Sequence, residues 1–255
     1  MKIATWNVNS IRVRIEQLCE FLKCENIDVV LLQELKCPTE LFPNEAFEDI
    51  GYNCAVFGQK TYNGVAILSK YLIEDIRIGS EIFCGDSQSR YIDAFINGYR
   101  IASVYVPNGQ APNLPAYGYK LDFLGRLINH VERTIENETY IIGGDFNIAL
   151  TDLDVYNPKL WHNKICCTNS ERSSLRDFIS VGLVDVARKF SSDPIYTWWD
   201  YRTRGFSKNH GLRLDYIFTT SSVNSVSSYV DLEVRAKERT SDHAPVVAEI
   251  RETIV

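Results

Sequence analysis

No Cys-x-x-Cys pair occurs in this chain, and no apolar run approaches the roughly 18 residues that a membrane span needs. The first absence argues against a structural zinc site, the second against a transmembrane helix. The seven cysteines, at positions 19, 24, 37, 54, 84, 166 and 167, are odd in number and show no framework spacing. Free thiols in a reducing cytoplasm are therefore expected. The N-terminus enters strand-like sequence at once, without the basic-then-apolar pattern of a secretory leader. No repeat, linker or low-complexity tract interrupts the 255 residues, and a single domain over 1–255 is expected. With 45% hydrophobic residues it can bury a sizeable core. Net positive charge is missing too. The balance is −6, so no global field draws in nucleic acid. Segment 201–213 still carries Arg202, Arg204, Lys208, His210 and Arg213 between Asp200 and Asp215, which fits a local basic patch or a solvated loop.

What is present reads as alternating strands and helices. Residues 2–8 alternate as a strand, and Ile11, Ile15, Leu18, Cys19 and Leu22 recur at helical spacing. The run 28–32 predicts a buried strand that ends at Gln33-Glu34. Strands are also expected at 53–57, 64–68, 91–96 and 100–106. The last two flank Asn97-Gly98, a hairpin signal. Segment 107–118 reads as a loop. Helices are expected around Leu121–Val131 and over 173–183. Further strands are expected at 139–142, 212–219, 227–234 and 244–250. Strands outnumber helices and the hairpin requires antiparallel pairing, so a purely parallel doubly wound sheet is not expected. The expected fold is α/β: a two-sheet β-sandwich flanked by helices, in four layers.

Polar clusters recur at the ends of these strands: Asn7 and Asn9, Gln33-Glu34, Gly144-Asp145-Phe146-Asn147, and Ser241-Asp242-His243. A metal-assisted phosphodiesterase needs these residue types. Glu34 and Asp242 are hard-cation ligands, and Asn7 can ligate or hold a ligand in place. Asp145 can align or deprotonate water, Asn147 can donate to a phosphate oxygen, and a protonated His243 can do the same. Asp215 sits in the apolar run Leu214-Asp215-Tyr216-Ile217, where a carboxylate needs a partner, and it can fix the tautomer of His243. Each residue alone has a plainer reading: Asn7 or Asp145 in a turn, Glu34 at a solvated strand end.

The order of these clusters resembles exonuclease III and the related apurinic/apyrimidinic endonucleases, within the endonuclease/exonuclease/phosphatase superfamily. The matching runs are TWNVNSIR (5–12), LLQELK (31–36), GVAILSK (64–70), SVYVPNG (103–109), GGDFNIALTDLD (143–154), TWWDYR (197–202), GLRLDYIF (211–218) and SDHAPV (241–246). They span nearly the whole chain. The resemblance implies that Glu34 is the principal metal ligand, with Asn7 and Asp242 at or beside the metal and Asn9 supporting them. It implies Asp145 and its companion Asn147 at the attacking water, Tyr105 on the phosphate, and Asp215 with His243 as a dyad. It implies Mg²⁺, or Mn²⁺ in its place.

The resemblance also implies a substrate: double-stranded DNA with abasic sites or 3′ ends. Trp198 would wall a pocket for a flipped-out abasic sugar, with Leu212 and Leu214 as apolar lining, and selectivity would come partly from excluding a base. Arg90 and Asn108 match positions near the DNA backbone. A monomer in a bacterial-type cytoplasm, held at the nucleoid by its substrate, is expected. Segments 159–174, with Cys166-Cys167, and 110–117 depart from the family pattern where the family contacts DNA. The balance between abasic incision and 3′ trimming is therefore left open by the sequence. Two alternatives share the fold: a catalytically inactive nucleic-acid-binding regulator, and a superfamily phosphatase acting on another phosphoester.

Overall fold

The run Val29–Gln33 is buried at every position, which is why it lacks the polar-apolar alternation of a half-exposed strand. It lies at the middle of the first of two sheets. A computed structural model describes residues 1–83 and 85–251; Cys84 lies outside them, and the other six cysteines are free thiols. The strands are β1 (Lys2–Asn7), β2 (Val29–Gln33), β3 (Asn53–Phe57), β4 (Val65–Ser69), β5 (Glu74–Ile78), β6 (Tyr91–Ile96), β7 (Tyr99–Tyr105), β8 (Tyr140–Asp145), β9 (Leu183–Asp185), β10 (Asp215–Thr220), β11 (Ser225–Val230) and β12 (Val246–Ile250). The helices are α1 (Ile11–Cys24), α2 (Asn44–Glu48), α3 (Gly79–Ile82), α4 (Pro115–Ile135), α5 (Pro158–Trp161), α6 (Asn169–Ser180), α7 (Val186–Phe190) and α8 (Leu232–Ala236).

One sheet orders its strands β11-β12-β1-β2-β4-β3 and the other β5-β6-β7-β8-β10-β9. Each has one parallel pair, β1 with β2 and β7 with β8, and antiparallel pairs on both sides of it. α1 makes the crossover in the first sheet and α4 in the second. The two sheets therefore share one connection pattern.

Strand alternation sorts the apolar residues into layers. Ile3, Val29, Leu31, Ile67, Ile101, Ile141 and Ile217 pack between the sheets. Ala4, Trp6, Val30 and Leu32 turn outward onto Leu18, Phe21 and Leu22 of α1. Ala102, Val104 and Ile142 turn outward onto Phe123, Leu127 and Val131 of α4 and Phe178 of α6. The four-layer α/β sandwich expected from the sequence is the observed fold.

The Asn97-Gly98 hairpin forms between β6 and β7 with both residues at positive φ, 48° and 85°, as a type I′ turn requires. Several boundaries differ from expectation. α4 starts inside the expected loop, because Pro115 is pre-set for a first helical turn. α6 starts at Asn169, capped by Thr168 with Glu171 in a capping box, and Leu183 belongs instead to β9. β11 ends at Val230, since the Asp231 carboxylate accepts the Val234 amide at 3.0 Å and starts α8. β10 starts at Asp215, while Leu212 makes only isolated bridges to Val155 and Trp198. Arg213 is also no part of a basic patch. It is buried and paired with Asp185 at 2.5 Å and Asp154 at 3.6 Å, whereas Arg202, Arg204, Lys208 and His210 are exposed.

Gly144 lets β7 and β8 meet just before the polar end of β8. A Cβ at this position would stand 1.9 Å from the Val104 carbonyl oxygen. Gly144→Ala is expected to cost about 3 kcal/mol or more and to lower the melting temperature by about 10 °C, read by thermal denaturation. A variant that melts with the wild type would contradict this close approach.

Candidate active site

Strand register places three of the functional side chains in one row. In the second sheet Tyr105 of β7 pairs with Asp145 of β8, and Asp145 pairs with Asp215 of β10. Residues in register on neighbouring strands point to the same face. In the first sheet Asn7 of β1 pairs with Gln33 of β2. The chain then leaves β2 with Glu34 in the left-handed region, φ 53°. On the other side of β1, Thr5 pairs with Val246 of β12, so segment 241–244 runs beside the end of β1. Gln33 joins the two sheets beneath the site: its amide donates to Thr5 Oγ1 at 3.1 Å and to Ser103 Oγ at 3.0 Å.

Asn7 is the hub of the constellation. Its Nδ2 donates to Glu34 Oε1 and to Asp145 Oδ2, both at 2.9 Å. Tyr105 donates to the same Glu34 oxygen at 2.9 Å, and Lys36 pairs with the other at 2.9 Å. Lys36 also donates to the Asn9 side-chain oxygen, and Asn9 Nδ2 donates to Asp242 Oδ1 at 2.9 Å. The second Asp242 oxygen accepts Trp198 Nε1 at 3.0 Å. Asn147 donates its main-chain N–H to Asp145 Oδ1 at 2.9 Å. Its Nδ2 donates to the Val106 carbonyl at 3.0 Å and to Asp145 Oδ2 at 3.3 Å.

His243 and Asp215 form the expected dyad, Nδ1 to Oδ2 at 2.8 Å, and His243 Nε2 stands 3.7 Å from Asp145 Oδ2. Thr197 Oγ1 accepts the main-chain N–H groups of Leu214 and Asp215 at 2.9 and 3.1 Å. Ser241 Oγ donates to the Asn7 carbonyl at 2.6 Å and fastens the His243 segment to β1. The other Asp215 oxygen is buried without a partner, so the His243 charge is the main compensation for this carboxylate.

The environment separates the acids. Burial works to raise the Glu34 pKa, but the Lys36 charge and the Asn7 hydrogen bond outweigh it and hold it below the ordinary range. Asp145 is pushed up to about 7, chiefly by burial and also by the charges of Asp215 and Glu34, against the pull of His243. For His243 burial acts downward, yet the Asp215 and Asp145 carboxylates raise its pKa to about 10. Burial and the neighbouring Glu34 and Asp145 charges push Tyr105 well above its ordinary value, so its hydroxyl stays a donor.

A cavity of about 440 Å³ opens over this cluster. Glu34, Tyr105, Asn108, Asp145, Asn147, Trp198, Leu212, Leu214, Asp242 and His243 line it. Asn7 and Asp215 are fully buried and brace the lining from behind. Of the adjacent pair Trp198 and Trp199, Trp199 is a core residue and Trp198 faces the cleft. Arg90 lines an adjoining groove, which shares Tyr105, Asn108 and Gln110 with the cavity. Its guanidinium lies 4.9 Å from the Tyr105 ring centre and donates to Gln88 at 2.8 Å. Sequence reasoning assigned no role to Lys36, Thr197 or Ser241, although each lies inside a matched run. Trp161, Ile165 and Cys166 also line the cavity, from the segment that departs from the family pattern.

Among the described residues, ligand-type atoms of Glu34, Asp145 and His243 lie within 4.8 Å of one another. His243 is bound to Asp215 through Nδ1 and held protonated, so it serves better as a cation than as a ligand. The remaining donors, on Glu34 and Asp145, are carboxylate oxygens, which suit a hard divalent cation. Four carboxylates (Glu34, Asp145, Asp215, Asp242) face two cations (Lys36, His243) here, leaving the charge that one divalent ion would cancel.

A two-sheet sandwich with such an acid cluster at its strand ends defines a class of phosphoester-processing fold. Residues 4–243 match the Endonuclease/Exonuclease/phosphatase family, and the chain belongs to it. It is 33% identical to exodeoxyribonuclease III of Haemophilus influenzae, over 98% of this chain and 100% of that one. The structure is similar to that of the 3′ phosphatase NExo from Neisseria bound to a product DNA hairpin. The TM-score is 0.97 with 40% identity, over 99% of this chain and 100% of that one. It is likewise similar to an AP endonuclease from Archaeoglobus fulgidus, with TM-score 0.94 and 35% identity over 99% and 100% of the two chains.

If Asp215 holds the imidazolium, Asp215→Asn should bring the His243 titration from about 10 down toward the ordinary histidine value of about 6.5. Histidine NMR of the metal-free protein reads this. An unchanged titration would contradict the dyad.

Proposed function

We propose that this chain is a metal-dependent DNA repair nuclease that incises duplex DNA on the 5′ side of abasic sites and also trims and cleans 3′ ends. The observation that carries this reading is the convergence in one cavity of Glu34, Asp145, Asn147 and the Asp215–His243 dyad beside the Trp198 wall. Incision would leave a 3′-hydroxyl and a 5′-deoxyribose phosphate. Every position of the constellation is filled by a chemically competent side chain, which disfavours a regulator that binds without cutting. TWWDYR and GLRLD, which supply Trp198, Leu212 and Leu214, favour a DNA substrate over a superfamily phosphatase. The chain is read as one domain acting as a monomer.

The metal is read as Mg²⁺, with Mn²⁺ able to replace it. Glu34 would hold it, with Asp242 beside it and Asn7 keeping Glu34 in place through its Nδ2, since the Asn7 side-chain oxygen accepts the Asn9 N–H at 3.0 Å; when bound it would polarise a phosphoryl oxygen and offset the charge that grows there. Asp145 aligns water for in-line attack and takes its proton, a role that burial favours by making its carboxylate more basic. The new P–O bond forms as the bond to the upstream 3′ oxygen breaks, and that oxygen takes a proton from solvent. The His243 imidazolium donates to a non-bridging oxygen, and Asp215 keeps it charged. Tyr105, which stays protonated, donates to the phosphate. Asn147 keeps Asp145 in place through its main chain, and a phosphate oxygen would displace its longer 3.3 Å side-chain bond. Trp198 and Leu212 receive the sugar, while Arg90 and Asn108 meet the DNA backbone.

Asp145→Ala should lower kcat on abasic DNA by about 10²- to 10⁴-fold while binding to the same duplex persists, read by single-turnover cleavage and by fluorescence anisotropy. Near-normal cleavage would refute the role given to Asp145. Trp198→Ala should reduce preference for abasic over intact duplex while leaving the metal-activation curve in place. Unchanged preference would make Trp198 a packing residue.

A further inference from the structure

Lys120 of α4 and Glu171 of α6 form an ion pair at 2.5 Å, and both are fully buried. Neither lines the cavity. Removing two charges from water is costly, and apolar residues of similar size often serve stability as well. The pair therefore calls for a reason other than stability.

Its contacts supply one. Lysine has three N–H donors, and all three are used. Besides Glu171, Nζ donates to the main-chain carbonyl of Asn147 at 2.8 Å and to that of Asn108 at 3.1 Å. Glu171 Oε1 also accepts the Cys166 N–H at 3.1 Å, and Oε2 accepts Thr168 N and Oγ1 at 2.9 and 2.8 Å. One buried pair thus ties the backbone of three segments that reach one side of the cleft. Two of its dependents are strained: Asn147 and Cys166 lie at φ 52° and 68°. Such backbone persists only where its surroundings over-determine it. The tie continues to the reacting end, because Asn108 Nδ2 donates to Asn147 Oδ1 at 3.0 Å and Asn147 N donates to Asp145 Oδ1 at 2.9 Å.

We infer that Lys120 and Glu171 are positioning residues for the nuclease reaction, setting Asn147 and Asn108, and through them Asp145, at the geometry that cleavage needs. This rests on the function proposed above. The test is the charge-free pair Lys120→Met with Glu171→Leu, assayed as full-length protein on 3′-recessed duplex in Mg²⁺, alone and combined with Asn147→Ala. The expected result is a melt that stays cooperative but lies below that of the wild type, since the Asn108 and Asn147 carbonyls and the Cys166 and Thr168 N–H groups lose their partners, with kcat lowered about 10- to 100-fold and KM within about twofold. In the Asn147→Ala background the same change should add less than about threefold, since both act through one contact chain. Wild-type kcat in the folded variant, or the full loss repeated on top of Asn147→Ala, would overturn the inference. If the charge-free variant does not melt cooperatively, Lys120→Arg takes its place in the same cycle, because it keeps the charge but not the three-acceptor geometry. Failure of the wild type to cut DNA, or an Asn147→Ala variant of wild-type kcat, would instead overturn the function proposed above and this inference with it.

Discussion

Like charge gathered at one end of two packed sheets is the constraint on which the rest of the site depends. Glu34, Asp145, Asp215 and Asp242 cannot all remain ionised in a partly dry cleft without compensation. The chain supplies two cations. Lys36 holds one edge of Glu34, and the His243 imidazolium stands between Asp215 and Asp145. Amide donors from Asn7, Asn9 and Asn147 stabilise further carboxylate oxygens. The deficit that remains is matched to a divalent cation, and it adds to the burial that chiefly raises the Asp145 pKa. Metal affinity, base strength and histidine charge are therefore three consequences of one electrostatic arrangement.

The fold produces this arrangement through register. Each sheet carries a parallel pair with a helical crossover at its centre, and the functional side chains lie where those central strands end. Tyr105, Asp145 and Asp215 form one row. Asn7 and Glu34 face them from the other sheet. The glycine before Asp145 keeps β8 close enough to β7 for the row to form. A shift of register by one residue would send Asp145 to the opposite face of its sheet.

Much of this was legible in the sequence, and the exceptions have physical causes. Buried central strands such as Val29–Gln33 announce themselves by apolar runs, and polar residues at their ends stand out. β5, by contrast, reads EDIRI and is half exposed at a sheet edge, so no periodic pattern marks it. β9 is three residues long. The dyad of Asp215 with His243 could be proposed because a carboxylate in an apolar run needs a partner, but the row it shares with Tyr105 depends on pairing that no local signal encodes. Lys120 was hidden for a different reason. Lysine is seldom buried, so in an amphipathic helix it reads as surface, and only the packing of α4 against α6 shows it beneath the cleft.

Selectivity is built on the same frame from less regular parts. Trp198 is held by bridges to Leu212 and His243 and by its bond to Asp242, so the substrate wall and the metal-side carboxylate are mechanically one unit. Trp161, Ile165 and Cys166, from the segment that departs from the family pattern, belong to the same apolar cluster as Trp198, Leu212 and Leu214. The most direct measurement is cleavage of a labelled duplex with a single abasic-site analogue, in Mg²⁺ and in EDTA, beside intact and 3′-recessed duplexes. Rapid cutting on the 5′ side of the lesion in Mg²⁺ and none in EDTA is expected, with shortening of the recessed strand. Binding of the lesion without cleavage in Mg²⁺, or cleavage undiminished by EDTA, would contradict the proposed function.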